Sequence, residues 1–270
     1  MSKEPSPINQ TTDILSVANA LHSSFKASAS FSYFLKKIFN IELDENFSDH
    51  RNKAIMYYYA SMYSDLGGEV IECDDFNAVA LVSPPGVHID FSETKDTRFN
   101  KVWYEDYESH LESFIAENPF YYINLVGRNF NQEKKRGTVT KIFKHYMKMS
   151  DLKGCPIVLE AISEDSKNIY EHYGFKTVHS FSYGQNEVDE DGHLDPKGKG
   201  FVAYLMIYYS GDLNDYKNKI VEVSDLPKIN PKTYEFIDVK MITSCSEECS
   251  TTTPLEPMAS RVQLSVNKEK

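Results

Sequence analysis

The sequence predicts a mixed α/β domain, and three observations carry that expectation. An apolar run, Tyr122-Ile123-Asn124-Leu125-Val126-Gly127, is followed by a basic turn, Glu133-Lys134-Lys135-Arg136-Gly137-Thr138, and then by residues at helical spacing. A second apolar run, Pro156-Ile157-Val158-Leu159-Glu160-Ala161, leads through a polar link to Tyr170-Glu171-His172-Tyr173-Gly174-Phe175, which completes a βαβα arrangement. Hydrophobic residues make up 41% of the 270, with 18 Tyr and 16 Phe among them, enough for a sizeable core.

Taken in order, residues 1–11 read as a disordered start. Ile14, Leu15, Val17, Ala18 and Leu21 then recur at helical spacing behind Asp13, a suitable N-cap. A second helix is expected over residues 49–66, with Ile55, Met56, Tyr59 and Met62 on one face and Gly67-Gly68 ending it. Residues 69–73 and 76–82 read as two strands joined at Asp74-Asp75. Residues 100–116 carry aromatics and Leu111 at helical intervals. After the βαβα unit, residues 175–183 and 201–209 read as a closing strand pair around a polar hairpin loop. Beyond Asp212 the chain becomes charged, then rich in Ser, Thr, Glu and Pro, a composition that cannot bury enough apolar surface to order itself. One domain over 12–212, with a largely disordered extension over 213–270, is therefore expected.

Several function classes are disfavoured. A net charge of −11 argues against nucleic-acid binding, which needs a basic face. No run approaches the ~18 apolar residues of a membrane span, and the start lacks the apolar core of a secretory signal. The expectation is a soluble, cytoplasmic protein, with the nucleus left open. Cys73 and Cys155 sit in apolar runs and read as buried free thiols. Cys245 and Cys249 lack a second pair or a neighbouring histidine, so no metal site is expected. His88, His145 and His179 have no partner spacing that speaks of a metal or a triad. No Gly-x-Ser-x-Gly elbow points to a hydrolase.

The order of these blocks resembles the GNAT superfamily of acyl-CoA-dependent N-acyltransferases, in particular its fungal members and puromycin N-acetyltransferase. Tyr122 to Gly127, Arg136 to Phe143, Leu159-Glu160-Ala161-Ile162-Ser163 and Tyr170 to Phe175 fit its four successive blocks. Ala78 to Gly86, ending Pro84-Pro85-Gly86, and Gly200 to Met206 fit two outlying strands. The resemblance implies a mostly antiparallel central sheet, splayed at its middle and flanked by helices. It also implies acetyl-CoA as co-substrate and a small-molecule amine as acceptor.

The same resemblance assigns roles. Backbone groups of Leu125, Val126 and Arg128 would meet the pantetheine arm. The turn Lys134-Lys135-Arg136-Gly137-Thr138-Val139-Thr140 would hold the pyrophosphate, because N–H groups and the helix dipole suit a phosphate there. The family places two glycines in that turn and this chain has one. With Gly137 as the first, Val139 replaces the second, and Ile142 and Phe143 fall on the apolar helix positions. With Gly137 as the second, Lys135 replaces the first. Tyr170 takes the place of the tyrosine that protonates the departing thiolate, a role a phenol of pKa ~10 can fill opposite a thiol of ~8.5. Ser166 stands where an Asn is usual in the cofactor site. Glu160 is the candidate base, Asn124 a candidate substrate contact. Two readings remain open: an acetyltransferase, or a binding module of the same fold that has lost turnover with its second glycine.

Overall fold

The computed structural model describes residues 8–46, 48–89, 93–219 and 221. A seven-stranded sheet runs through them in the order β1-β2-β3-β4-β5-β7-β6. Its strands are β1 (Ile8–Gln10), β2 (Glu69–Cys73), β3 (Ala78–Ser83), β4 (Tyr121–Arg128), β5 (Ile157–Ala161), β6 (Lys176–Tyr183) and β7 (Phe201–Tyr208). Every neighbouring pair is antiparallel except β4 and β5. This is the mixed, mostly antiparallel sheet that the resemblance implies.

Helices cover both faces. On one lie α1 (Ile14–Phe25), α2 (Ala29–Ile38) and α3 (Asp49–Asp65). Their apolar residues Val17, Leu21, Leu35, Ile55 and Tyr59 share one buried cluster with Val79 and Leu81 of β3. On the other face, α6 (Thr138–Lys153) places Ile142, Phe143 and Tyr146 over Ala80, Ile123, Ile157 and Leu159. β3 alternates between the two cores and is buried along its whole length, as a central strand with both faces covered should be.

The helix starts follow local chemistry. Asp13 caps α1 through the Ser16 N–H at 3.0 Å, Ser28 caps α2 through the Phe31 N–H at 3.2 Å, and Ser48 caps α3 through the Arg51 N–H at 3.1 Å. The segment α2 is absent from the sequence expectation, although Ser28 followed by Phe31, Phe34, Leu35 and Ile38 is a cap followed by a helical stripe.

Three expectations are corrected. Residues 8–10, placed in a disordered start, form the edge strand β1, because Ile8 to Gln10 pair with Ile71 to Cys73. The single helix over 100–116 is three pieces: α4 (Thr97–Asn100), a π-helical segment (Lys101–Asp106) and α5 (Tyr107–Ile115). At the start of the expected extension, α8 (Leu213–Lys217) docks on the domain, with Tyr216 buried and its backbone carbonyl accepting from Asn118 Nδ2 at 2.8 Å. Residues 222–270, including Cys245 and Cys249, lie outside the described residues, as do residues 1–7. Cys73 and Cys155 are buried free thiols.

Candidate active site

The site begins with a strand that leaves its neighbour. β4 and β5 pair only at Tyr121 with Ile157 and Tyr122 with Val158, and diverge beyond that rung. On its other edge β4 carries a bulge: Leu81 faces Leu125 but Val82 faces Ile123, so Asn124 is the extra residue. A bulge bends its strand and increases the local twist, which accounts for the divergence. Gly127 lets α1 cross closely, since a Cβ there would stand 2.2 Å from Ser24 Oγ.

A cavity of about 610 Å³ occupies the split, within the usual range for small-molecule sites. Asn124, Leu125 and Val126 form its β4 wall, and Glu160, Ser166 and Tyr170 its opposite wall. The π-helical segment and α5 supply Trp103, Tyr104 and Tyr107. A π-helical turn commonly marks a functional position, and here it sets the aromatic side of the cavity. Asn124 Oδ1 is buried without a hydrogen-bond partner among the described residues.

Glu160 is held by two phenols from different elements. Tyr122 donates to Oε2 at 2.6 Å, and Tyr107 donates to Oε1. Burial pushes the Glu160 carboxyl up to about 6, against the opposing pull of the two phenols. Burial and the Glu160 charge drive both phenols well above their ordinary range, so they remain donors. Burial, with Glu160 and Tyr173 nearby, pushes Tyr170 up to about 12. A carboxylate able to titrate near neutrality and a phenol that stays protonated thus share one cavity.

The spacing from Tyr170 to Phe175 has its own structural cause. The Phe175 N–H donates to Tyr170 O at 3.1 Å and the Gly174 N–H to Glu171 O at 2.9 Å. Gly174 is left-handed, with φ of 91°. This is a Schellman ending of α7 (Glu164–His172), completed by the Tyr170 and Phe175 rings at 6.1 Å. The motif fixes Tyr170 on the last turn of α7, facing the cavity. Ser166 at the other end of α7 forms a capping box with Ser163, its N–H donating to Ser163 Oγ at 3.1 Å.

The predicted phosphate turn lies outside the cavity. Gly137 is the left-handed N-cap of α6, with φ of 81°, no side-chain cap and open space where a Cβ would project. The first helical residues, Thr138, Val139 and Thr140, therefore begin a helix whose N-terminus has no side-chain cap among the described residues. Val139 packs against the core beneath α6, which turns its side chain away from the turn. Ile142 and Phe143 are fully buried, as the register with Gly137 first requires. Asn77 shapes the approach to the turn, donating from Nδ2 to Glu133 O at 2.7 Å and accepting from the Lys135 N–H at 3.3 Å. Lys135 Nζ is turned aside to Asp74 O at 3.0 Å, while Lys134 and Arg136 are exposed. Arg128 lies over the Phe130 ring, 4.4 Å from its centre, with Nη1 buried and unpartnered among the described residues.

The chain itself is similar to known proteins. A family model described as the YOR012W acetyl transferase domain matches residues 9–88. The uncharacterized protein YDR391C of Saccharomyces cerevisiae is 38% identical over 205 residues, which are 75% of this chain and 86% of that one. The chain belongs to the same family as this yeast protein, and its fold is that of the GNAT acetyltransferases. Its fold is similar to that of an Aedes aegypti protein provisionally named arylalkylamine N-acetyltransferase 7, at a TM-score of 0.51 and 11% identity over 75% of this chain and 86% of that one. The C-terminal condensation domain of Ebony, solved with beta-alanyl-dopamine, gives a TM-score of 0.50 and 13% identity over 73% and 93%.

Within this GNAT-like fold the predicted residues fall into two groups. Glu160, Tyr170, Asn124, Leu125, Val126 and Ser166 gather at the cavity. Gly137 and its neighbours stand apart at the start of α6. Sequence reasoning missed Tyr107 and Tyr122 as partners of Glu160. Tyr107 meets it across 53 positions of chain and Tyr122 across 38, separations that no local pattern encodes.

Proposed function

We propose that the protein transfers an acetyl group from acetyl-CoA to the nitrogen of a small-molecule amine. The observation that carries this reading is the joint presence of Glu160 and Tyr170 at a cavity opened by the split between β4 and β5. The residues fit the co-substrate. The unpaired edge of β4 beyond Tyr122 offers backbone groups to a pantetheine arm, and the uncapped N-terminus of α6 at Gly137 suits a pyrophosphate. Arg128, Lys134 and Arg136 add positive charge at that end.

When bound, acetyl-CoA would supply a thioester whose carbonyl carbon forms the new N–C bond as its C–S bond breaks. Glu160, charged above about pH 6, accepts a proton from the incoming ammonium and passes it to solvent. Tyr170 gives its phenolic proton to the sulfur as the electron pair of the C–S bond arrives there. It regains a proton from the nitrogen, which loses its second on becoming an amide. The aromatic wall excludes water from the thioester, favouring transfer over hydrolysis.

The test is thermal stability with acetyl-CoA. A ligand at a hundred times its Kd stabilises by about 2.7 kcal/mol, a rise of several degrees. Gly137→Asp should abolish the rise, because it sets a carboxylate against the phosphate. No rise in the wild-type protein at millimolar acetyl-CoA would overturn the proposal.

A further inference from the structure

The ionisable lining of the cavity is of nearly one sign. Glu160 lies inside it, Glu108 and Glu112 stand one helical turn apart on α5, and among the described residues no Lys or Arg lines it. His88 is the sole other ionisable group besides the tyrosines, and it is exposed. Phe25, Phe31, Phe34, Trp103 and Phe120 make up much of the remaining wall. Two lining residues carry a neutral polar atom that is buried without a hydrogen-bond partner among the described residues: Ser83 Oγ, on a residue 2% exposed, and Trp103 Nε1. Buried polar atoms normally have partners, so a hydroxyl on the ligand would satisfy either one.

This lining discriminates between amines by what else they carry. An ammonium on an aromatic body meets rings and carboxylates, both of which favour a cation. A neutral hydroxyl can accept from the Trp103 N–H or pair with Ser83. A substrate carboxylate or phosphate would enter beside three glutamates with no cation to pair it, and burying an unpaired charge is costly.

Resting on the acetyltransferase reading, we propose that the acceptor is an aromatic or similarly apolar primary amine without an anionic group. In this proposal Glu108 and Glu112 act as specificity residues against amino acids and other anionic amines. Glu160 sets the exclusion inside the cavity. Glu108 and Glu112 are exposed, so they act at the mouth, by steering cations in and repelling anions, an effect that salt weakens.

Tyramine and tyrosine isolate the point, because they share ring, hydroxyl and amine and differ by one carboxylate. Thiol release from acetyl-CoA gives kcat/KM for each, and calorimetry on the CoA-loaded protein gives binding. Tyramine should exceed tyrosine in kcat/KM by ~10²-fold or more, a loss of about 2.7 kcal/mol for bringing the carboxylate in unpaired. The double variant Glu108→Gln, Glu112→Gln should narrow that ratio several-fold at low salt and leave the acetyl-CoA melting shift unchanged. High salt should narrow the wild-type ratio in the same direction. Equal or better use of tyrosine, or a ratio indifferent to both the double variant and salt, would overturn the proposal. So would the absence of tyramine binding to the CoA-loaded protein. Preferential tyramine binding without transfer would keep the amine site and remove the acetyltransferase reading instead.

Discussion

The Tyr122 phenol donates to Glu160 Oε2 at 2.6 Å across the opening between β4 and β5. Tyr122 sits on the last paired rung and Glu160 two residues beyond it, so the bond spans the place where the sheet comes apart. A strand pair that lost its backbone ladder here keeps one side-chain tie. That tie holds the carboxylate inside the split, and with Tyr107 it stabilises the charged form.

Removing either phenol should move the acidic limb of the rate profile upward. Glu160 titrates at about 6 while both phenols donate to it. A hydrogen bond to a charged group is worth about 1.5–3 kcal/mol, and one pKa unit is about 1.4 kcal/mol. In Tyr122→Phe or Tyr107→Phe the limb of kcat/KM should rise by about one unit or more. A limb that stays in place in both variants would mean that Glu160 is not the titrating base.

Glu160 should also write a signature into stability. Its folded pKa of about 6 lies above the ordinary 4.5, so its carboxylate is disfavoured by folding. The contribution is fully present below pH 4.5 and is lost as pH rises through 6. A shift of this size corresponds to about 2 kcal/mol. Glu160→Gln does not titrate, so its melting temperature relative to wild type should climb between pH 5 and pH 7.5. A flat difference over that window would show that the carboxyl is not perturbed by burial.

The sequence carried the local parts of this site well. Gly137, Gly174 and the stripe of Ile142 and Phe143 declare themselves within a few residues, because caps and amphipathic faces are short-range chemistry. The split between β4 and β5 was legible only through resemblance. Its physical cause, the bulge at Asn124, depends on a register with β3 that no window of sequence contains. The partners of Glu160 were illegible for the same reason. Tyr107 stands among many aromatics, and only the fold selects it.

Two glycines of the site should respond differently to alanine. At Gly127 a Cβ would fall 2.2 Å from Ser24 Oγ and 2.7 Å from Ser24 Cβ, so α1 or β4 must move. Overpacking of this kind costs about 1–3 kcal/mol. At Gly137 the space is open and only the left-handed backbone, φ of 81°, opposes a side chain, at about 1 kcal/mol. Urea unfolding should therefore rank Gly127→Ala as the more damaging, and Gly137→Asn as milder than Gly137→Ala. The reverse ranking would contradict the close crossing of α1 over β4.

Tyr170 has a capping and packing job in this structure and a proposed one in catalysis, and the variants that separate them decide the mechanism. Its backbone carbonyl closes the Schellman ending of α7 and its ring packs on Phe143 and Phe175, at 5.3 and 6.1 Å between centres. Neither contact uses the hydroxyl. Tyr170→Phe keeps the ring and the carbonyl, so the melting temperature and the acetyl-CoA shift should barely change. If the phenol protonates the leaving sulfur, kcat should still fall by ~10²-fold or more, the scale of general acid catalysis. Gly174→Ala is the complementary variant. Its left-handed φ of 91° penalises any side chain, so the end of α7 should loosen and stability should drop by about 1 kcal/mol. Activity in Gly174→Ala should fall far less than in Tyr170→Phe, because the hydroxyl remains. Full turnover in Tyr170→Phe would leave the residue with its capping and packing roles alone, and the proton for the thiolate would then have to come from water.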